Sequence, residues 1–362
     1  MKITNFLLKA RYLFCLLVVE KFFKFPYHCH FQVTRRCNFQ CESCCVWRAA
    51  EGQKELDLAQ IEEAACQLQK IGVKSIVLTG GEPLLRKDIC AIITIFKHKS
   101  FIVRLQTNGY LLTEGLAKEM LEAGLDDLYV SFDSLDVAHF MKINGVTQPR
   151  AFEDVYQHIK AAAGLVKKYG AGMFLLTVVR PSNMGEVEAL YKFAQELDCL
   201  IAFYGLEVVS STHPSSIRAV DRQLVPSSQE REALKKTFIR IKGLKNEKNS
   251  RIFMSERLLD DFINFYSSDC SDMHWPCHAG ERYLELLSDG QVAVCNGCAP
   301  MEGYQYNNLI DLYKRKDKKK FFQSYIKKCE GCICTRQLEY LVDDFSDIMK
   351  KAAQYFKATI WK

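Results

Sequence analysis

The sixteen cysteines of this 362-residue chain are the residues best suited to do chemistry. Nine precede residue 200, and the other seven fall between residues 270 and 334. A secreted disulfide scaffold is usually short, whereas this chain is long and places many of its cysteines in close groups. Thiolates in such groups bind iron–sulfur clusters or zinc in a reducing compartment. We therefore expect a cytoplasmic protein with metal sites.

The first group is Cys37, Cys41 and Cys44, which directly follows a short strand-like segment. Three thiolates in one loop can bind three irons of a 4Fe-4S cluster and leave the fourth iron open to another ligand. The alternative is a zinc ion completed by His30 or Cys45, since structural zinc takes four tetrahedral ligands. Zinc ligands occur more often as separated pairs, so the tight triple favours the cluster.

A second motif, formed by Gly80, Gly81, Glu82 and Pro83, follows the next strand-like segment. Two glycines allow a backbone to come close to a ligand, and Pro83 fixes the path of the chain that leaves. Alone, this pattern would indicate only a turn. If the glycines face a ligand, replacing Gly81 with valine is expected to block that ligand and to spare the metal site.

Short β-branched segments alternate with helical segments over residues 30–210, which predicts repeated parallel strand and helix units. The strand-like segments are 31–34, 75–79, 101–107, 127–132, 173–179 and 200–209. Six such units with right-handed crossovers predict an α/β fold, a partial (β/α)6 TIM-like barrel whose active face lies at the carboxyl ends of the strands. Asn108, Ser131 and Asp133 lie at such ends, so we expect them on that face.

Together, the cysteine triple and the glycine motif resemble the CxxxCxxC and GGEP motifs of the radical S-adenosylmethionine (SAM) superfamily. One difference is Ser43, where that family usually has an aromatic residue. The resemblance implies that the first cysteine group binds a 4Fe-4S cluster and that residues 80–83 bind SAM through the methionyl amino group. It also implies that Asn108, Ser131 and Asp133 lie near the ribose or the carboxylate of SAM.

The resemblance further implies a reaction. A reduced cluster passes one electron to iron-bound SAM, the carbon–sulfur bond breaks, and the 5'-deoxyadenosyl radical takes a hydrogen atom from a substrate. A reduced flavodoxin or ferredoxin-type protein is the expected electron donor. No side chain needs to act as a general base, so we assign no catalytic residue. Because only a short stretch precedes the first strand, we do not expect the peptide-recognition domain that begins many peptide-modifying relatives. This lowers the expectation of a ribosomal peptide substrate and leaves sugars, lipid-linked molecules and other small metabolites open.

The second cysteine group lies in a segment where residues 284–295 are predicted to form a hairpin that turns at Asp289 and Gly290. One cysteine before the hairpin, one at its end and a downstream CxxC supply four thiolates for a fully ligated cluster. Separated pairs suit zinc equally well. The expected ligands are Cys277, Cys295, Cys329 and Cys332.

This segment resembles the SPASM and twitch extensions of radical SAM enzymes, which carry auxiliary 4Fe-4S clusters. The resemblance implies one auxiliary cluster, with Cys298 and Cys334 as spare or alternative ligands. An auxiliary cluster in such enzymes accepts an electron from the substrate or anchors it. Oxidation or cross-linking of the substrate is therefore expected.

Changes in pattern along the sequence predict five parts. The parts are an N-terminal amphipathic helix (1–29), the barrel (30–210), a helical linker (211–267), the cysteine-rich extension (268–335) and a C-terminal helix (336–362). Within the barrel, Asn183 and Glu186 resemble a capping pair before the fifth helix.

The predicted N-terminal helix has an apolar stripe flanked by lysines and arginine, and three phenylalanines near its end. This composition is typical of helices at a membrane surface, so we expect weak, peripheral binding to anionic lipid. The alternative is that the stripe packs on the barrel or on the C-terminal helix, as most amphipathic helices face a core.

Two other classes of function are compatible with the cysteines. One is an iron–sulfur electron carrier without a SAM site, and the other is a zinc-stabilised interaction protein. The basic segment 314–320 raises the question of nucleic acid, but such runs are usually solvated surface, and the net charge of +6 is modest for this length. A nucleic-acid partner is therefore not expected, and the glycine motif with the polar strand ends favours the enzyme.

Overall fold

The fold is described by a computed structural model, which covers residues 26–49, 52, 54–206, 222–267, 277–296, 298–328, 350 and 353–355. Within these residues, six parallel strands form one side of a sheet in sequential order. They are β1 (His28–Thr34), β2 (Ser75–Gly80), β3 (Ile102–Thr107), β4 (Asp127–Ser131), β5 (Gly172–Val179) and β6 (Leu200–Gly205). The predicted partial barrel is therefore confirmed, and its sheet does not close.

Helices connect the strands and continue beyond the barrel. Those of the barrel are α1 (Leu58–Lys70), α2 (Ile89–His98), α3 (Glu114–Glu122), α4 (Val137–Asn144), α5 (Arg150–Tyr169) and α6 (Val187–Glu196). After it come α7 (Ser228–Lys245), α8 (Glu256–Ser267), α9 (Leu309–Lys314) and α10 (Lys318–Ile326).

The cysteine-rich segment extends the same sheet. Strand β7 (Tyr283–Leu286) pairs in parallel with β1, on the side opposite to β2. It then pairs with β8 (Gln291–Ala293) in an antiparallel hairpin, and β9 (Pro300–Gln305) follows at the edge. The hairpin predicted around Asp289 and Gly290 is thus present, and the ladder between β1 and β7 joins it directly to the barrel.

Alternation along the strands gives the barrel two faces, because successive side chains of a strand point to opposite sides. On β2, Ile76 and Leu78 are buried in the hydrophobic core, whereas Val77 and Thr79 line an interior cavity. The other strands repeat this division. Each of the six strands β1–β6 therefore contributes both to the core and to the cavity.

The open side of the barrel is partly covered by the chain after α7. Ile201 of β6 donates its backbone N–H to Arg251, and Phe253 donates to Ile201, at 2.9 and 2.8 Å. Farther along the chain, the Tyr355 hydroxyl donates to Oδ1 of Asp127 of β4 at 2.6 Å. Both contacts bring later parts of the chain against barrel strands.

The prediction that Asn183 and Glu186 form a capping pair before α6, the helix that follows β5, is wrong. Asn183 accepts a hydrogen bond from the backbone N–H of Arg180, and its amide donates to two carbonyl groups instead of capping a helix. Glu186 accepts from Ser134 and from the backbone of Leu135. These side chains tie two loops together, so tertiary contacts replace the local cap.

Several predicted segments lie outside the described residues. These are most of the N-terminal helix, the end of the sixth strand segment, the start of the linker, most of the C-terminal helix, and Cys329, Cys332 and Cys334. Among the described residues, none of the helices is long and apolar enough to cross a membrane.

Candidate active site

A cavity of about 350 Å³ lies inside the open barrel. All six parallel strands contribute to its wall, together with the loop that carries the first cysteine group. Asn296, which comes from the segment after the β7–β8 hairpin, also lines it. Residues from both cysteine-bearing segments therefore meet at one cavity.

The thiols of Cys37, Cys41 and Cys44 all line this cavity and are half-buried. Their loop is hydrogen-bonded to the C-terminal end of α4. The backbone N–H groups of Gln40 and Glu42 donate to carbonyl groups of the last two residues of that helix, at 3.1 and 3.2 Å. Inside the loop, the N–H of Cys44 donates to the carbonyl of Cys41 at 3.2 Å. The loop is thus fixed with its three thiols on one side.

Burial controls the protonation of these thiols. It raises the pKa of Cys37 to about 12 and raises the pKa of Cys41 and Cys44 above the ordinary value. Cysteine binds metal as the thiolate. Metal binding must therefore displace protons from this loop, which couples occupancy to pH.

The donor set fits a 4Fe-4S cluster. In the described ranges, no three side chains of His, Cys, Asp or Glu are close enough to share a single metal ion. A cluster attaches each thiolate to a different iron, so its ligands stand farther apart than those of one zinc ion. Three thiols on one cavity wall meet that requirement and would leave the fourth iron facing the cavity.

The two glycines of the motif also have a steric reason that the sequence did not suggest. Gly80 has φ +140°, and a Cβ there would lie 2.1 Å from the carbonyl oxygen of Thr34. A Cβ on Gly81 would lie 2.2 Å from the carbonyl oxygen of Arg36. The glycines line the cavity, but they are required because this turn packs against the chain that enters Cys37. A valine at Gly81 would therefore disturb the metal loop itself.

Glu82 and Pro83 are buried, and neither is part of the cavity wall. Glu82 accepts hydrogen bonds from the Thr107 hydroxyl, the N–H of Asn108 and the N–H of Leu84, each at 2.8 or 2.9 Å. Burial outweighs these bonds and raises the pKa of Glu82 to about 7. Glu82 thus connects the glycine motif to the end of β3 from behind the wall.

The three polar strand-end residues all line the cavity, as the sequence predicted for that face. Asn108 donates through its side-chain amide to Asn38 at 2.8 Å. Asp133 accepts a hydrogen bond from the N–H of Val178 at 2.8 Å. Ser131, two residues earlier in the chain, also lines the cavity. Whether these residues contact a cofactor remains a prediction.

Arg180 was missed by the sequence reasoning. It follows β5, is 3% exposed, and lines the cavity. Its guanidinium donates to Asp133 at 2.9 Å and to Glu42 at 3.1 Å, which pairs it with two carboxylates. Burial raises the pKa of Asp133, and the charge of Arg180 opposes that rise. Its position directly after a strand was the available signal.

The deeper wall of the cavity is aromatic, which the sequence reasoning also missed. Phe174 packs edge-on against Tyr129, with ring centroids 4.7 Å apart, and against Phe253 at 5.2 Å. Tyr204 lines the same cavity from β6. The cavity therefore has a polar half near the cysteines and a largely apolar half below them.

In the second cysteine group, Cys295 and Cys298 are buried and adjacent. Their sulfur atoms are 3.7 Å apart, and the N–H of Cys298 donates to the carbonyl of Cys295 at 3.1 Å. Cys298, expected to be a spare ligand, is therefore placed as a partner of Cys295. Two thiolates on one tetrahedral zinc ion are about 3.8 Å apart, so zinc remains an alternative at this group. Cys277 is half-buried at the start of the same segment.

Residues 31–194 match the protein-family model of the radical SAM superfamily. This part of the chain thus corresponds to a radical SAM domain. The matched range includes the cysteine loop, the glycine motif and the polar strand ends that line the cavity. The family uses a 4Fe-4S cluster and SAM, in agreement with the donor set of the first cysteine group.

Relatives of this radical SAM domain include a probable GTP 3',8-cyclase of Pyrococcus abyssi, 29% identical over 192 residues, which are 53% of this chain and 60% of that protein. A GTP 3',8-cyclase of Helicobacter pylori is 29% identical over 289 residues, 77% of this chain and 83% of its own length. The chain thus spans about 60% of the length of the first archaeal relatives it matches.

Among solved structures, Streptococcus suis SuiB bound to its precursor peptide SuiA has a TM-score of 0.62 at 15% identity. The similarity covers 87% of this chain and 71% of SuiB. At that identity, the likeness concerns the fold alone.

Proposed function

We propose that the cavity is the site of a radical reaction, in which SAM bound at a cluster on Cys37, Cys41 and Cys44 provides the radical that takes a hydrogen atom from a substrate. One observation carries this proposal. The three thiols, the two glycines of the glycine motif and the polar strand ends all border the same cavity. An electron carrier would need the thiols but not the adjoining cavity.

The protein's own part in this chemistry is to hold and orient the reactants. When bound, the cluster and SAM supply the reactive carbon radical, so no side chain of the chain has to remove a proton. Asn108 and Asp133 offer polar groups to the bound cofactor, and the buried aromatic wall excludes water from the deeper half. Arg180 fixes the carboxylate of Asp133 in place.

We also propose that the substrate carries no triphosphate group. Among the described residues of the cavity wall, Arg180 has the only permanently positive side chain, and it is already paired with Asp133 and Glu42. A triphosphate such as that of GTP is usually bound by several cationic groups. The cavity therefore suits a neutral group that packs on the rings of Phe174 and Tyr204.

The second cysteine group supports a role in oxidation or cross-linking of that substrate. Asn296 lies between Cys295 and Cys298 in the sequence and also borders the cavity. A metal centre bound by these cysteines would therefore lie next to a residue of the cavity wall. We propose an auxiliary 4Fe-4S cluster at this group, which would accept an electron from the substrate. A reduced flavodoxin or ferredoxin-type protein is the proposed donor for the first cluster.

The direct test is SAM cleavage by anaerobically reconstituted protein with dithionite. The proposal predicts 5'-deoxyadenosine from the wild type, none from Cys41→Ala, and undiminished amounts from Cys66→Ala, whose cysteine lies on α1 outside the cavity. No product from the wild type with a full complement of iron would instead favour an electron carrier.

The substrate proposal is tested by transfer of deuterium into 5'-deoxyadenosine. GTP deuterated on the ribose is expected to give none, whereas a deuterated substrate without a triphosphate group should give labelled product. Deuterium transfer from GTP would contradict the proposal of a substrate without a triphosphate group.

We further propose that the basic N-terminal segment makes weak contact with anionic membranes, on the strength of its sequence alone. Co-sedimentation with vesicles of phosphatidylserine and phosphatidylcholine should decrease as salt is added, since the lysine contacts are screened. A variant that lacks residues 1–25 should sediment less. Equal sedimentation of both proteins would refute the contact.

A further inference from the structure

Trp47 has an unusual position for a large aromatic residue. It lies three residues after Cys44, in a short 3-10 turn (Val46–Ala49), and it borders the cavity. Its side chain is half-buried, and its indole N–H donates to the carbonyl of Cys41 at 3.2 Å. The hydrogen bond fixes the indole to the same loop that carries the three thiols.

The indole of Trp47 also lacks the ring contacts that its neighbours have. Phe39, on the same loop, is 2% exposed and packs against Tyr110 and Phe140, with centroids 5.8 and 6.2 Å apart. Within the described part of the chain, no aromatic ring packs on Trp47, and its ring contact is the guanidinium of Arg48, 5.3 Å from the ring centroid. Trp47 therefore contributes an aromatic surface to the cavity wall.

We infer that Trp47 stacks on the adenine ring of bound SAM, an inference that rests on the proposed function of this cavity. Purine rings stack favourably on indole because both present flat, polarisable faces. On the cavity wall next to the cysteine loop, the small Ser43 offers no such surface. Anchoring by Cys41 means that little side-chain freedom is lost when the purine binds.

The test measures binding rather than turnover, on reconstituted holoenzyme kept anaerobic. Dissociation constants are measured by equilibrium dialysis for SAM, for 5'-deoxyadenosine and for methionine. Trp47→Leu keeps an apolar side chain without an aromatic face, and Trp47→Phe restores a ring without the indole N–H. Phe265→Leu on α8, a ring outside the cavity wall, is the matched control.

Stacking on one base contributes enough to predict about a tenfold weaker affinity of Trp47→Leu for SAM and for 5'-deoxyadenosine. Methionine binding and iron content should be unchanged, and Trp47→Phe should recover most of the affinity. Unchanged SAM binding by Trp47→Leu would overturn the inference. An equal loss for methionine would also overturn it, because that result indicates a distorted loop.

A measurement on the wild-type sequence keeps the inference testable even if a Trp47 variant loses its cluster. Protein labelled with 5-fluorotryptophan should show a shifted ¹⁹F resonance on addition of 5'-deoxyadenosine, and that resonance should be missing in Trp47→Phe. No shift at saturating nucleoside would overturn the inference. Failure of the wild-type protein to bind SAM at all would instead overturn the proposed function.

Discussion

The guanidinium of Arg180 lies 2.9 Å from the carboxylate of Asp133, and this ion pair joins the carboxyl ends of β5 and β4 at the cavity wall. Arg180 also reaches Glu42 on the cysteine loop at 3.1 Å. One buried cation therefore connects two strands of the barrel with the loop that carries the proposed cluster ligands. Loss of this cation should affect both stability and cofactor binding.

Replacement of Arg180 with Gln should lower the free energy of unfolding by about 3 kcal/mol, since it leaves Asp133 buried without its partner. The double variant Arg180→Gln/Asp133→Asn should lose less than the sum of the single variants, because the unpaired charge is gone. Urea denaturation of the four proteins measures this difference. Strictly additive losses would show that the pair contributes no coupling.

Glu82 should make the stability of the protein depend on pH. Folding raises the pKa of Glu82 to about 7, so the folded protein holds a proton that the unfolded chain releases near its ordinary pKa. The resulting contribution is present below about pH 4.5 and is lost as the pH rises towards about 7. The free energy of unfolding should therefore fall by up to about 3 kcal/mol over this range.

In Glu82→Gln, this part of the pH dependence should disappear, because glutamine does not titrate. The control is Glu119→Gln, which removes an exposed carboxylate on α3 and should keep the wild-type slope. Thermal unfolding at a series of pH values gives both slopes. A Glu82→Gln variant with the wild-type slope would show that another group is responsible.

Gly81→Ala should impair the metal site and the SAM site together. The added Cβ would come within 2.2 Å of the Arg36 carbonyl oxygen, so the chain that leads into Cys37 has to move. We expect less iron at the first site and weaker SAM binding. Gly115→Ala is the control, since a Cβ there meets no atom within 4 Å. Full iron with normal SAM binding in Gly81→Ala would contradict the steric argument.

Cys298→Ala should reduce metal binding at the second group as effectively as Cys295→Ala, because the two thiols lie side by side in one buried turn. Metal analysis of anaerobic protein should find about eight iron atoms in the wild type and about half that number in each variant. Cys90→Ala, on α2, should keep the full amount. About four iron atoms with one zinc in the wild type would assign this group to zinc.

The strands were predictable because their signal is local. Alternating or continuous β-branched residues identify segments such as Ser75–Gly80, and a parallel order then follows from the intervening helices. The cavity position of Asn108 and Asp133 follows from that order, since parallel strands end on one face. Both predictions needed only the sequence and the handedness of the crossovers.

The contacts of single side chains were not predictable in the same way. Glu82 belongs to the glycine motif, yet it binds Thr107 and Asn108 behind the cavity wall, which depends on how two strand ends meet. Arg180 and Glu186 form hydrogen bonds with residues that are about fifty to one hundred and forty positions away along the chain. Such pairs are set by tertiary packing, which no local pattern encodes.

The central claim is that three thiolates bind a cluster whose fourth iron accepts SAM. Its most direct measurement is the electron paramagnetic resonance spectrum of the dithionite-reduced protein, recorded with and without SAM in a Cys295→Ala background that isolates the first cluster. The account predicts a 4Fe-4S signal that changes when SAM is added and that is absent after Cys41→Ala. A signal that does not respond to SAM would contradict the account, as would a signal that survives the loss of Cys41.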